Sequence, residues 1–207
     1  MKILHIIAGM PPESGVAAVV TRLAVEQRLL GHQVAVACTR KKCLVASLPL
    51  RFRHSSNGFR SAPTSPYCLV EKQVRVVTFR LSRPHATYFS WGMLLGLGKE
   101  IKDADLVHVH SNWTFPVWWG AWLALRHKKT LVMSPHGSYN PLQLKHSVWK
   151  KNLVGWLDQW VLRRASVIHV TCEAEKRWAL AFLQGRSEKL KVQRVRTKIV
   201  VIPNGVC

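Results

Sequence analysis

Lys2 to Cys38 reads KILHIIAGMPPESGVAAVVTRLAVEQRLLGHQVAVAC. Lys2–Ala8 is a short apolar run, and Gly9 to Gly15 is a loop carrying Pro11, Pro12 and Gly15. From Val16 to Leu30 the positions Val16, Val19, Val20, Leu23, Ala24, Gln27 and Leu30 fall near helical spacing. Gly31-His32 ends that helix, and Gln33–Cys38 reads as a second buried strand. A strand, a helix and a strand on short joints form a βαβ unit, which requires parallel strands and a right-handed crossover.

Downstream the same rhythm returns. Val74–Phe79, Ala104–His110, Thr130–Ser134, Val167–Thr171 and Ile199–Ile202 read as strands. Trp91–Ile101, Thr114–Arg126, His146–Arg164 and Glu173–Leu183 read as the helices between them. The alternation predicts an α/β domain with a doubly wound parallel sheet of about seven strands. One stretch breaks the rhythm. Thr39 to Val70 has Ser, Asn, Pro and Gly clusters and no acidic residue, and it reads as a basic loop insertion.

The 207 residues carry 31 Lys plus Arg against 10 Asp plus Glu, a formal charge of +21, yet 48% are hydrophobic. That apolar share supplies a core and excludes disorder; one domain suits the length. Cys38, Cys43, Cys68, Cys172 and Cys207 form no C-x-x-C pair, so neither a disulfide framework nor a thiolate zinc site is signalled, and reduced thiols in a cytosol are expected. The apolar start is too short and wrongly flanked for an export leader. Leu106–Leu125 lacks charged side chains, but Pro116 would break a spanning helix and His108, His110 and Asn112 are polar. Strand, loop and helix explain it better.

Ligands of open parallel sheets sit beyond the carboxyl ends of the strands, which directs attention to three loops. In the first, Ser14-Gly15 opens a helix whose amides and dipole suit a phosphate, or Ser14 is simply its N-cap. There is no G-x-G-x-x-G and no acidic residue after the second strand, so a nicotinamide enzyme is disfavoured. In the second, His108 and His110 share one strand face; His108 packs or bonds inside and His110 faces the cleft. Together with His136 they form a conceivable three-histidine metal set. No acidic or thiolate group stands near to support it, and no metal or cofactor is expected. In the third, Ser134-Pro135-His136-Gly137, a histidine beside glycine offers a donor or base with room for a ligand, or it caps a turn. Trp149, Leu153, Trp156 and Trp160 recur on one helix face, for which core packing is the default and a membrane interface the sharper alternative. Gly185–Lys198 is a basic run, either a solvated surface or an anion-facing patch.

In series, the Ile3–Ala8 strand with its Pro-Pro-x-x-Gly loop, Asp105–His110, Ser134–Gly137, Arg163–Glu175 and Val201–Val206 resemble the family 4 glycosyltransferases. The resemblance implies the Rossmann-like N-terminal, acceptor-side domain of a GT-B enzyme over residues 1–203, with a truncated interdomain junction at 204–207 and the donor-binding domain absent. It implies retaining transfer of a hexose-type sugar from a nucleotide-sugar to a lipid-linked or polysaccharide acceptor, by a chain inactive alone. His136 would be catalytic; His110, Gly137 and Glu173 would bind the acceptor; Gly15 and Ser14 would approach the donor phosphates. Relatives often pair two glycines where this chain has Ser14-Gly15. The basic charge suits a cytoplasmic location at an anionic membrane surface. The competing readings are a polyanion or nucleic-acid binder, for which no recognised module is present, and a non-catalytic partner of a separately encoded donor domain.

Overall fold

The computed structural model describes residues 1–11, 13–40, 67–71, 74–145, 148–184 and 197–204, with backbone alone for 67–71 and 148–153. Its strands are β1 (Lys2–Gly9), β2 (Gln33–Arg40), β3 (Tyr67–Glu71), β4 (Val74–Arg80), β5 (Leu106–His110), β6 (Thr130–Ser134), β7 (Val167–Val170) and β8 (Lys198–Val201). The helices are α1 (Gly15–Leu29), α2 (Trp91–Asp103), α3 (Phe115–Arg126), α4 (Pro141–Lys145), α5 (Val148–Arg164) and α6 (Glu173–Gln184). Side-chain caps start three of them, Asn140 Oδ1 accepting from the Leu142 amide at 2.9 Å ahead of α4. Ser14 Oγ accepts from the Ala17 amide at 3.3 Å, and Ser90 Oγ accepts from the Met93 amide at 3.2 Å.

One sheet runs in the order β3-β4-β2-β1-β5-β6-β7-β8. Seven of its strands are parallel, as the alternation predicts, and β3 is antiparallel to β4. Chain order reverses direction between β1 and β5, and such a switch opens a crevice at the carboxyl edge.

The sheet's two faces differ. On one, Leu4 and Ile6 of β1, Val107 and Val109 of β5, Leu131 and Met133 of β6 and Ile168 and Val170 of β7 pack with α2, α3, α5 and α6 in a single apolar cluster. Gly120 lets α3 ride close on β1: a Cβ there would stand 2.6 Å from Ile6 Cδ1. On the other face, α1 alone among the described helices joins the second cluster, through Ala17, Val20 and Ala24 against Ile3, Ile7, Val34, Val36 and Cys38.

Two expectations are corrected. Residues 67–71 are not all loop; they form edge strand β3 in register with β4. In the tryptophan stripe of α5, Trp160 packs against the core cluster as expected and Trp156 does not. Trp156 is 59% exposed, whereas Asp158, Val161 and Leu162 turn inward, and Arg164 covers the Trp160 ring at 4.9 Å. The Trp149 and Leu153 side chains, the bulk of the basic insertion (41–66), most of the later basic run (185–196) and residues 205–207 lie outside the described residues. Cys38 and Cys172 are free thiols. No described helix is long and apolar enough to cross a membrane.

Candidate functional site

Parallel register lines up the polar positions of the second face. His5 of β1 sits beside His108 of β5, and His110 sits beside Ser134 of β6. Val109, between the two histidines, belongs to the opposite cluster, so strand alternation places His108 and His110 together as predicted.

Hydrogen bonds organise these groups into two files. In the first, Gln27 Oε1 of α1 lies 2.7 Å from His5 Nε2, His5 Nδ1 lies 2.9 Å from His110 Nε2, and His110 Nδ1 lies 3.0 Å from His136 Nε2. In the second, His108 Nε2 lies 2.7 Å from Ser134 Oγ, Ser134 Oγ lies 2.8 Å from His169 Nδ1, and His169 Nε2 lies 2.9 Å from the Ile202 carbonyl. The files meet where the His108 and His110 rings approach to 4.0 Å between centroids. His110 is fully buried, so it lies behind His136 rather than opening on the cleft.

Burial governs the charge here. It pulls His5 down to about 4, opposed by the Gln27 hydrogen bond, and holds His108 and His110 well below the ordinary histidine value, with the neighbouring imidazoles adding to the effect. His136 is brought to about 4 by burial although the Glu175 charge opposes it. All four rings are therefore neutral near pH 7.

The backbone at this edge is unusual. His136 has φ 50° and Gly137 φ 74°, while Ser111 and Trp113 in the neighbouring loop have φ 68° and 60°. Left-handed conformations are costly for residues with a Cβ and persist where surroundings hold them. Glu175 does the holding at one loop. One carboxylate oxygen accepts from the Gly137 amide at 2.6 Å, and the other accepts from the Thr171 amide at 2.7 Å and hydroxyl at 2.8 Å. Asp158 holds the other loop, accepting from the Trp113 amide at 3.3 Å and from Trp118 Nε1 at 2.9 Å; its burial raises the carboxyl to about 7.

The sequence-derived residues divide accordingly. His110, His136 and Gly137 come together. Ser14 and Gly15 stand at the same carboxyl edge, on the N-terminus of the helix that carries Gln27. Ser14 Oγ is engaged as the N-cap, and nothing lies within 4 Å of where a Gly15 Cβ would be. Glu173 is exposed and paired with Lys176 at 3.4 Å; the acid that reaches the His136 turn is Glu175. Sequence reasoning also passed over His5 and Gln27. A histidine inside an otherwise apolar strand, and a glutamine among the inward positions of α1, were the available signals.

A metal set differs from the one first imagined. One ring nitrogen each from His5, His108 and His110 lies within 4.8 Å of the other two, and Gln27, Ser134 and His136 hold the remaining nitrogens as outer partners do around a metal. Yet 2.9 Å between His5 Nδ1 and His110 Nε2 is a hydrogen-bond separation. Two nitrogens on one tetrahedral zinc stand about 3.3 Å apart. In this structure the pair is hydrogen-bonded.

A separate hollow at the amino edge of the sheet is lined by Lys2, Gln33, Arg75, Glu100 and Asp103, with Arg75 paired to Glu100, and includes none of the residues above.

The sequence profile of the glycosyl transferase 4-like domain matches residues 14–205. Among solved structures, a sucrose-phosphate synthase from Thermosynechococcus elongatus aligns over 97% of this chain and 47% of that one, with 13% identity and a TM-score of 0.52. An alpha,alpha-trehalose 6-phosphate synthase from Burkholderia multivorans aligns over 99% of this chain and 48% of that one, with 14% identity and a TM-score of 0.47. The chain spans about half the length of these structures. No curated protein matches it.

Proposed function

The chain belongs to the glycosyl transferase 4-like family and has the Rossmann-like fold of a GT-B domain, and on that footing we propose that it is the acceptor-side half of a retaining glycosyltransferase. The donor is a nucleotide-sugar held mainly by a second domain across the cleft, and the acceptor is a lipid-linked or polysaccharide hydroxyl. The observation that carries this reading is the His136–Gly137 turn. It stands at the carboxyl edge in a left-handed conformation, with its ring tied to His110 and its amide tied to Glu175. Such a turn brings a neutral imidazole and a side-chain-free backbone position close to a ligand.

In this reading His136 hydrogen-bonds the reacting sugar or the acceptor hydroxyl, His110 backs it, and Gly137 permits the close approach. Because Ser14 Oγ is committed to its cap, the donor phosphates meet the first-turn amides at Gly15 and the positive end of α1. Glu173 lies at the rim as an exposed carboxylate, outside the hydrogen-bonded cluster.

Purified chain is incubated with a panel of nucleotide-sugars and sugar acceptors. No turnover alone, and His136-dependent turnover once a donor-binding domain is supplied, is the expected outcome. Sustained multi-turnover transfer by the chain alone overturns the half-enzyme reading.

A peripheral position on an anionic membrane is the companion proposal. Its support is a ladder of rings, Trp91–Phe89–Phe115–Trp119–Trp122, with successive centroids 5.0, 4.9, 6.2 and 4.9 Å apart. Trp91, Trp122 and neighbouring Leu95 are exposed at 59, 43 and 80%. Aromatic groups beside basic charge suit a headgroup layer. Sedimentation with anionic but not neutral vesicles is expected; DNA binding that survives high salt without vesicle binding favours the polyanion alternative.

A further inference from the structure

The first histidine file contains more information than its distances. A neutral imidazole has one N–H and one lone pair, so the donor at one end of a file of neutral rings dictates every donor after it. Gln27 Oε1 can only accept, so His5 carries its hydrogen on Nε2, 2.7 Å away. His5 Nδ1 is then a lone pair, and His110 Nε2 must donate across 2.9 Å. His110 Nδ1 is left as a lone pair, and His136 Nε2 must donate across 3.0 Å. The atom at the end of the count is His136 Nδ1, on the one ring of the file that is partly exposed at the carboxyl edge.

We infer that Gln27, acting through His5 and His110, fixes His136 as the Nε2–H tautomer, so that the cleft offers an uncharged ring nitrogen that accepts a hydrogen bond from a ligand hydroxyl. The inference deepens the proposed function and rests on it for the identity of that ligand, a sugar hydroxyl. The same lone pair disfavours a phosphate or carboxylate oxygen at this spot, because both groups present acceptors. Gln27 and His5 are positioning residues; neither touches the ligand.

The second file supplies a built-in control. It ends on the Ile202 backbone carbonyl, which has no donor form. His169 therefore carries Nε2–H, Ser134 donates to His169 Nδ1, and His108 Nε2–H donates to Ser134. No change at Gln27 alters this file's polarity, whereas the first file hangs on a replaceable side chain of α1.

Histidine-ring ¹⁵N labelling of the full chain, with long-range ¹H–¹⁵N correlation at pH 7.5, reads each tautomer directly. In the unaltered protein His5, His110 and His136 are expected as Nε2–H, with Nδ1 unprotonated. In Gln27→Glu the carboxylate is likewise an acceptor only, so His5, His110 and His136 are expected to keep Nε2–H while His108 and His169 stay as they were. In Gln27→Met the acceptor is gone, and His136 is expected to populate both tautomers. The unchanged His108 and His169 signals certify that the variants are folded.

His136 found as Nδ1–H in the unaltered protein overturns the inference. So does a His136 tautomer that is the same in all three proteins, or stoichiometric Zn²⁺ uptake that removes the His5–His110 proton. Titration with methyl α-glucoside separates the two levels. Movement of the His136 Nδ1 resonance supports the hydroxyl site. An unmoved resonance with the tautomers in place counts against the sugar reading and leaves the relay standing.

Discussion

Val107, His108, Val109 and His110 are consecutive residues of one strand, yet they serve two unlike regions. Val107 and Val109 enter a cluster of aliphatic and aromatic side chains under four helices, where packing dominates and Asp158, bonded to Trp113 and Trp118, is a polar exception. His108 and His110 enter the two histidine files, where His108 Nε2 meets Ser134 and the two nitrogens of His110 meet His5 and His136. The two-residue period of a strand lets one segment hold the fold together on one side and hold a reactive constellation on the other. On the first, mostly dry face, apolar packing contributes stability at any pH. The polar face makes stability conditional on protonation.

That difference gives the largest expected effect. His5 and His136 have folded values of about 4, and His108 and His110 are also depressed, whereas unfolded histidines titrate near 6.5. Below about 6.5 the unfolded chain takes up protons that the native rings refuse, so stability falls as pH drops from about 6.5 toward 4 and is fully present above that window. Each such histidine shifts the folding equilibrium about tenfold per pH unit. Asp158 acts oppositely. Its folded value of about 7 exceeds the ordinary carboxyl value of 3.8, so its contribution grows as pH falls from 7 and offsets about one histidine. Urea midpoints from pH 8 to 4.5 should show a steep acid limb. His108→Leu should flatten that limb by about one proton. A limb unchanged by His108→Leu breaks the comparison on its polar side.

Leu131→Ala tests the dry side. The residue is fully buried next to Met133 and Ile168, and the truncation should cost about 2–5 kcal/mol. The decisive part is the shape. The loss should be equal at pH 8 and pH 5, displacing the pH curve downward with its slope intact. A loss that changes strongly with pH means that the two faces are energetically coupled.

Most of this division was legible beforehand. The seven parallel strands follow from apolar runs of the right length between amphipathic segments, because burial dictates both periods. β3 was hidden because it is an edge strand at the end of a basic stretch, and its pairing with β4 depends on tertiary register rather than on its own pattern. His108 and His110 were placed on one face by alternation alone. His5 was not seen, because nothing within β1 reveals that β5 will be its neighbour. Glu175 was missed in favour of Glu173 for a similar reason. Both acids open α6, and only the docking of the Gly137 turn decides which one is buried. Trp156 misled because helical spacing marks a face without saying how far each of its positions turns inward.

Gly120→Ala should have a smaller effect, confined to the dry face. The added methyl would meet Ile6 Cδ1 at 2.6 Å in a fully buried setting, and crowding of this kind costs about 1–3 kcal/mol. Ile6→Val deletes the obstructing atom. The double variant should therefore be more stable than the sum of the single losses predicts, a coupling that denaturant midpoints resolve. Strict additivity would place the strain somewhere other than the contact between α3 and β1.

Leu95→Ser is expected to do least to the fold and thereby sharpens the comparison by adding a third kind of surface. Leu95 is 80% exposed, one helical turn beyond Trp91 on α2, with Lys99 and Lys102 continuing the same stripe. It belongs neither to the dry cluster nor to the histidine files, so its replacement should change stability by no more than about 0.5 kcal/mol at any pH. If the ring ladder meets a membrane, the same change should weaken sedimentation with anionic vesicles measurably, and Trp91→Ser should weaken it further. Loss of vesicle binding without loss of stability separates an interaction surface from a structural one. Unaltered vesicle binding in both variants would return this stripe to ordinary solvated surface and leave the basic charge to act without it.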